Sequence, residues 1–493
     1  MSNPSTTTAP HGAVKFPQGK PANIAPEGGV ERAPSRRAHL VAALQLAWPL
    51  AAWFTLLAAL LELAMSQVNL RGIDSSLHLA LVFVAWDLST NAFVSMLSLQ
   101  GGRHAKSRAT GAATLPVSVL VAAWNEEAGV VQTVRSVLAQ TGEHEVLVGD
   151  DGSSDATRAR LIDAFALEEV RPFVFASRDR RVSLHALPHR GKGHTLEALR
   201  MLARHPVLIT VDADTVLSEH ALERLAASFG DPLVEAAAGS VIVRGPVGAL
   251  THFQFAEYLR NTFLRRGWSE GGVLEQVPGA LAAIRASALA KAGGFPVDSI
   301  TEDYEVAYRL YARAAEEGRT IRIPTLPSAR AYTDPPRTLA GLIRQRTRWF
   351  AGFLTTFWRF RRLLLSPSAG AFGLVRLPIK VVDALLPMLG LASLASLLYA
   401  LITGTLAGDW LLSGTSLSLL LLRAVADLSL HRLAIQAHLK AEGRIPELEP
   451  KLSHLWLFAL LDAWTYGWLK HVIVLRAYPF AYSKARHWER SRD

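Results

Sequence analysis

Two stretches near the start of the chain are too long and too apolar to sit inside an ordinary soluble core. They are residues 39–65 (HLVAALQLAWPLAAWFTLLAALLELAM) and 76–99 (SLHLALVFVAWDLSTNAFVSMLSL). A bilayer core takes about 20 mostly apolar residues in a helix, and in lipid every backbone polar group must be paired within the chain. Both stretches therefore predict transmembrane helices. Residues 383–403, 410–430 and 454–475 predict about three more. Pro49, Glu62, Asp87 and Asp462 fall inside these runs. Polar groups there should face protein or a water-filled path. For Asp87 and Asp462, a helix-packing hydrogen bond and a transport role both stay open.

Residues 1–38 are rich in Pro, Ser, Thr, Ala and Gly and predict a disordered polar tail without a cleavable leader. Basic residues set the expected orientation. Lys15, Lys20, Arg32, Arg36 and Arg37 precede the first span, and Arg103, Lys106 and Arg108 follow the second, whereas the loop between holds Arg71 and Asp74. Tail and central region are thus expected on the cytoplasmic side of an inner membrane. Three later spans would put the basic C-terminal tail, 476–493, outside, so either one segment does not cross or the charge rule fails there. The chain has no cysteine, which excludes disulfides, thiolate metal sites and cysteine nucleophiles. Its net charge of +10 suits anionic lipid, substrate phosphates or nucleic acid alike, but no nucleic-acid-binding module accompanies it.

Between residues 115 and 335 the pattern changes to short apolar runs alternating with amphipathic helices. VSVLVAAW (117–124), EVLVGDD (145–151), VSLHAL (182–187) and VLITVDAD (207–214) predict strands. Helices are expected up to Leu138, from near Asp155, over about 194–204, and after Ser218, which could cap its helix. Such alternation predicts an α/β domain with a mainly parallel sheet and helices on both faces. Ligands in these folds gather at the carboxyl ends of the strands, where Asp150, Asp151, Asp212 and Asp214 all fall.

Four motifs carry chemistry. In Asp212-Ala213-Asp214, carboxylates two apart on a turning strand end can share a hard cation such as Mg2+ or Mn2+. In Asp150-Asp151-Gly152-Ser153-Ser154-Asp155, Ser154 or Asp155 can cap the next helix, while the adjacent carboxylates suit a metal, ribose or base. Thr301-Glu302-Asp303 precedes a helix, where a carboxylate can complement the dipole or serve as general base to a hydroxyl. Gln345-Arg346-Thr347-Arg348-Trp349 lies in a basic, aromatic stretch, 338–364, that predicts an amphipathic interfacial helix. The sixteen histidines show no ligand spacing and are expected to be surface or packing residues. Arg265, Arg266 and Gly267, within 244–279, could form a mobile loop or an interfacial helix.

Together and in order, a strand–WNEE opening, DDGSSD, DAD, TED and QRTRW make the chain resemble the membrane-bound glycosyltransferase family 2 enzymes. That group includes cellulose, hyaluronan, chitin and poly-N-acetylglucosamine synthases, and the likeness covers about residues 115–355. It implies a GT-A-like (Rossmann-related) cytoplasmic domain over 115–335, attached to transmembrane helices. It implies donor binding by Trp124, Glu126, Asp150, Asp151, Lys192 and Asp212, although Trp124 and Ala122 stand where many relatives have Tyr and Pro. Asp212 and Asp214 would hold the metal, Asp303 would be the catalytic base, and Glu302, Gln345, Arg348 and Trp349 would frame the acceptor and diphosphate. Lys192 could equally be a solvated loop lysine. The activity implied is inverting, metal-dependent transfer from a nucleotide-sugar, UDP-linked, to a growing β-linked polysaccharide, with membrane lipid around it and room for an accessory export subunit. Two rivals stay open: a non-processive transferase making a glycolipid, and a non-catalytic membrane export component.

Overall fold

The computed structural model describes residues 36–66, 74–108 and 115–490. The expected polar tail before residue 36, the loop with Arg71, and Arg492 lie outside the described residues. Ten strands form one sheet: β1 (Val117–Ala123), β2 (His144–Asp151), β3 (Glu168–Arg171), β4 (Val174–Ala176), β5 (Val182–Leu187), β6 (Val207–Asp212), β7 (Val216–Leu217), β8 (Ala236–Val243), β9 (Leu281–Arg285) and β10 (Thr325–Thr333). Their spatial order is β3-β4-β5-β2-β1-β6-β9-β8-β10-β7. The central strands β5, β2, β1 and β6 are parallel, and β9 runs against both β6 and β8.

Around the sheet lie α1 (Arg36–Ser66), α2 (Asp74–Arg108), α3 (Val130–Leu138), α4 (Thr157–Phe165), α5 (Lys192–Leu202), α6 (Ala221–Ala227), α7 (Ala249–Glu270), α8 (Ala286–Lys291) and α9 (Glu302–Glu316). They are followed by α10 (Leu339–Arg359), α11 (Leu377–Ala407), α12 (Trp410–Glu442), α13 (Leu452–Asp462), α14 (Tyr466–Val474) and α15 (Ala477–Arg490). Strand β1 shows why the layers form. Side chains alternate across a strand, so Val119 and Val121 join one core with Val134, Leu161 and Leu225 of α3, α4 and α6. Leu120 turns the other way, into a core with Leu196 and Leu199 of α5 and Val306 and Leu310 of α9. Leu46 of α1 and Phe93 of α2 belong to that second core, so the apolar helices are packed onto the sheet domain rather than tethered to it. This is the α/β sheet with helices on both faces that the alternation predicts, with long apolar helices added.

Two expectations need correction. The stretch 454–475 is not one span: α13 and α14 are short helices separated at residues 463–465. Among the described residues, the helices long and apolar enough to cross a membrane are Leu77–Gln100, Phe372–Ala407 and Trp410–Ala441, with Leu46–Ala59 and Leu452–Asp462 shorter apolar helices. Around the break, Asp462, Tyr466 and Lys470 each turn toward buried partners on other helices. Ser218 does not cap a helix through its side chain; its Oγ accepts from Arg330 N at 3.2 Å, and the residue before α6 is His220, in the left-handed region. Residues 265–267 are helical, within α7, and not a loop.

Candidate active site

The loops after β1 and β2 are laced together by side chains. Asn125 Oδ1 accepts from Ser154 N (2.8 Å), Thr157 Oγ1 from Glu126 N (2.8 Å), Asp155 Oδ2 from Glu127 N (3.1 Å), and Glu127 Oε2 from Ala156 N (2.9 Å). WNEE and DDGSSD thus form one platform at the carboxyl ends of adjacent strands. Asp155 accepts from Thr157 N at 3.0 Å, which satisfies a free amide at the start of α4. Trp124 stands out from the platform, 52% exposed, with its ring stacked on His189 at 4.7 Å between centroids.

The two carboxylates of DDGSSD point inward. Asp150 is wholly buried, accepting from Ser153 N (2.9 Å) and clasped by Arg158 Nε and Nη2 at 2.8 and 2.7 Å. Asp151 accepts from the backbone N–H groups of Arg190 and Gly191, both at 2.9 Å, and its carbonyl lies 3.0 Å from His189 Nδ1. A buried carboxylate needs such partners. Asp151 thus shapes the turn that leads into Lys192 and carries His189, while Asp150 fixes the turn into α4.

Lys192 is the hinge of the site. Its Nζ lies 2.7 Å from Asp212 Oδ1, at the end of β6, and 2.6 Å from Glu302 Oε1, at the start of α9. Burial disfavours the ammonium, but the carboxylates of Asp212 and Glu302 outweigh it and raise the lysine's pKa above its ordinary value. Behind the DAD turn, Thr133 Oγ1 donates to the Ala213 carbonyl at 2.8 Å, tying the turn to α3. Asp214 accepts from Thr215 Oγ1 (3.1 Å) and Thr333 Oγ1 (3.3 Å). Burial, then the charge of Asp212, pushes Asp214 up to about 6. Glu126 is pushed up to about 7 by burial and by Asp214, Asp212, Asp155 and Asp334.

So many carboxylates, raising one another's pKa, form a site that a divalent cation would relieve. Among the described residues no three metal-ligating side chains are grouped as a ready cage. Asp212 and Asp214 fit a metal that takes one or two carboxylates and completes its shell with ligand phosphates.

Because β9 runs against β6, the segment arriving at β9 lies beside the end of β6, where Val211 pairs with Leu281. That brings in Gln276, whose Nε2 donates to Asp303 Oδ2 at 2.9 Å. It also brings in Gly279, where a Cβ would stand 2.9 Å from Lys192 Nζ and 3.4 Å from Glu302 Oε1, so a side chain would crowd the lysine bridge. Asp303 Oδ1 accepts from Tyr304 N at 3.0 Å. Burial, then Glu302, raises the pKa of Asp303, with Gln276 and Lys192 acting the other way. Beyond Gln276 opens a cavity of about 330 Å3, lined by Trp86, Asn91, Asn261, Arg265, Trp268 and Tyr304 among others.

Helix α10 packs on this edge through Gly352, where a Cβ would run into the Thr301 side chain. Its motif splits between two faces, as a period of 3.6 requires. Arg348 is exposed, whereas Arg346 is 5% exposed, with its guanidinium 4.4 Å over the Trp349 ring and Nη1 donating to Gln345 Oε1 at 2.7 Å. The site thus gathers Asp212, Glu302, Asp303 and Lys192 directly, with Glu126 and Asp214 coupled through charge. Asp150 and Asp151 lie beneath as braces. Sequence reasoning missed Gln276, Arg158 and His189, each of which announces itself only by its partner.

A model of the glycosyl transferase family 2 matches residues 118–292, and one of the glycosyl transferase family group 2 matches 207–412. The two matches overlap over residues 207–292, and between them they take in Glu126, Lys192, Asp212, Asp214, Glu302, Asp303 and the motif of α10. The curated relatives the chain matches include the poly-β-1,6-N-acetyl-D-glucosamine synthases of Staphylococcus aureus (strain COL), 30% identical over 239 residues, and of Staphylococcus epidermidis, 30% over 249. The matches cover 48% and 49% of this chain and 54% and 56% of those proteins, so the chain spans about half the length of these relatives. Among solved structures, a mannosyltransferase from Pyrobaculum calidifontis in complex with GDP-Man and Mn2+ is similar at a TM-score of 0.47 and 20% identity, covering 78% of this chain and 99% of that one.

Proposed function

We propose that this chain is an inverting glycosyltransferase that moves a sugar from a UDP-sugar onto a growing β-linked polysaccharide at the cytoplasmic face of a membrane. The observation that carries the reading is the Lys192 bridge, which joins the Asp212 strand end to the Glu302-Asp303 helix start. A nucleotide-diphosphate at the first and an acceptor hydroxyl at the second would meet across a single side chain.

In this reading Trp124 receives the nucleobase, and Glu126 and Asp212 the ribose and phosphates. Asp303, its carboxylate oriented by Gln276, takes the proton of the acceptor hydroxyl as that oxygen attacks the anomeric carbon from the face opposite the diphosphate. The anomeric C–O bond to the nucleotide breaks, UDP leaves, and the configuration inverts. Lys192 and the exposed Arg348 offset the charge that develops on the diphosphate. A Mg2+ or Mn2+ ion held by Asp212 and Asp214 would neutralise diphosphate charge as a Lewis acid. The polar cavity beside Gln276, with Asn91, Asn261, Arg265 and Lys380 in its wall, supports a saccharide acceptor over a lipid one, because amide and charged groups suit sugar hydroxyls better than an acyl chain.

The test is UDP release by detergent-purified protein across a panel of UDP-sugars, with UDP-N-acetylglucosamine first because the relatives are poly-N-acetylglucosamine synthases. Release with one sugar that vanishes in Asp303→Asn, and a product of polymer length, is the expected result. Release into a single-sugar lipid product would move the reading to a glycolipid transferase. No release with any sugar and either metal would overturn it.

A further inference from the structure

The sequence motif around Trp349 contains two arginines, and the function proposed above uses only Arg348. Arg346 faces the opposite way, into a buried ionic cluster that joins three helices. Its Nη2 donates to Glu257 Oε2 of α7 at 2.6 Å, and the Tyr466 hydroxyl of α14 donates to the same oxygen at 2.8 Å. Lys470 Nζ lies 3.7 Å from the other oxygen, Oε1. Burial alone would raise the Glu257 pKa, yet Arg346 and Lys470 hold it down at about 2, so the carboxylate stays charged at any working pH. Phe253, one turn before Glu257 on α7, stacks on Tyr466 at 5.2 Å and closes the cluster from the side.

Arg346 also touches two of the motif residues that the resemblance expects to frame the acceptor and diphosphate: it donates to Gln345 and lies over the ring of Trp349. A guanidinium is planar and presents several donors in a fixed fork, so one that is clamped by a carboxylate also fixes what its other edge and face hold. We infer that Glu257, acting through Arg346, is a positioning residue for the acceptor side of the site, and that the break between α13 and α14 exists to bring Tyr466 and Lys470 onto it. The inference rests on the glycosyltransferase reading above. It explains why an apolar stretch that could have crossed the membrane as one helix stops at residue 463. Tyr466 and Lys470 lie one turn apart on α14, and both must reach a carboxylate on α7.

The test uses full-length protein in detergent, with UDP-N-acetylglucosamine as donor and a β-1,6-linked N-acetylglucosamine pentasaccharide as acceptor. Glu257→Gln keeps shape and removes charge; Arg346→Lys keeps charge and removes the fork. Both variants are expected to raise the acceptor KM at least tenfold, with kcat and the donor KM within about threefold of the wild type, and Glu257→Asp to restore part of the loss. Hydrogen exchange over residues 342–352 is expected to speed up in Glu257→Gln while peptides from β1 and β6 keep their protection, which separates a displaced α10 from a misfolded chain. An unchanged acceptor KM in Glu257→Gln, or an equal fall in every kinetic constant with exchange raised throughout the chain, would overturn the inference while the wild type still turns over. A wild type inactive with every donor would sink the transferase reading, and this assignment with it.

Discussion

Lys192 Nζ lies 2.6 Å from Glu302 Oε1, and the same nitrogen holds Asp212 at 2.7 Å. One ammonium thus sets the spacing between a strand end that can meet a nucleotide and a helix start that can accept a proton. Replacing it should damage both halves together. Lys192→Ala is expected to lower kcat/KM for the donor about 10²–10³-fold, the range for removing one preorganised charge from a site of developing negative charge. Lys192→Arg should recover only part, because a planar guanidinium presents its donors in a fixed fork and not at one point shared by Asp212 and Glu302. Steady-state kinetics on the three proteins decide it.

The pH dependence should follow Asp303. In its proposed role as general base it works only when ionised, and burial together with Glu302 raises its pKa above the ordinary carboxylate value. Activity is therefore expected to be full above that raised value and to be lost as pH falls through it. Asp303→Asn should lose about 10²–10⁴-fold in kcat, the usual worth of a positioned base. Glu302→Gln removes the charge that helps hold the pKa up, and should move the acidic limb of the kcat/KM profile to lower pH. A limb that stays in place would assign it to another group.

Metal and protons should compete. Burial, and then the charge of neighbouring carboxylates, pushes Asp214 up to about 6 and Glu126 up to about 7. A divalent cation needs the ionised forms, so Mn2+ should bind more weakly at pH 6 than at pH 8. Treatment with EDTA is expected to stop UDP release, and added Mn2+ or Mg2+ to restore it. Asp214→Asn should require more metal for half-activation. Metal titrations at the two pH values provide the measurement, and equal affinities at both would count against Asp214 as a ligand.

Gly352 gives a test of packing. Any Cβ there meets Thr301, so Gly352→Ala must push α10 from the helix that carries Asp303. Overpacking of this kind costs about 1–3 kcal/mol. The expected outcome is a lower melting temperature with a larger loss in turnover than in donor binding, checked by thermal unfolding and by UDP affinity. Pairing it with Thr301→Ser, which removes a methyl at the contact, should return part of both.

Much of the framework is legible in the residues. Runs such as VSVLVAA and VLITV are mostly apolar because both faces of their strands are covered, and the acidic motifs follow at or just after the ends of β2 and β6. Legibility stops where a role depends on a partner distant in sequence. Nothing in DDGSSD announces that Asp150 turns inward to Arg158, or that Asp151 holds the backbone of residues 190 and 191 instead of facing the site. Gln276 lies in a segment with no motif, and only the direction of β9 brings it to Asp303. The interruption at 463–465 is hidden for a related reason: hydropathy averages over LWLFALLDAWTYGWLKHVIVL, whereas three polar side chains in it have buried partners on other helices.

The reversal of β9 also sorts the site by chain order. Most residues proposed to meet the donor lie between Trp124 and Asp214, and those proposed to meet the acceptor lie mainly after Asn261, with Lys192 and Arg348 each reaching across. The two sets share a sheet but little stretch of chain. Exchange or drift in the later segment could therefore alter what such an enzyme builds while leaving untouched the supply from which it builds.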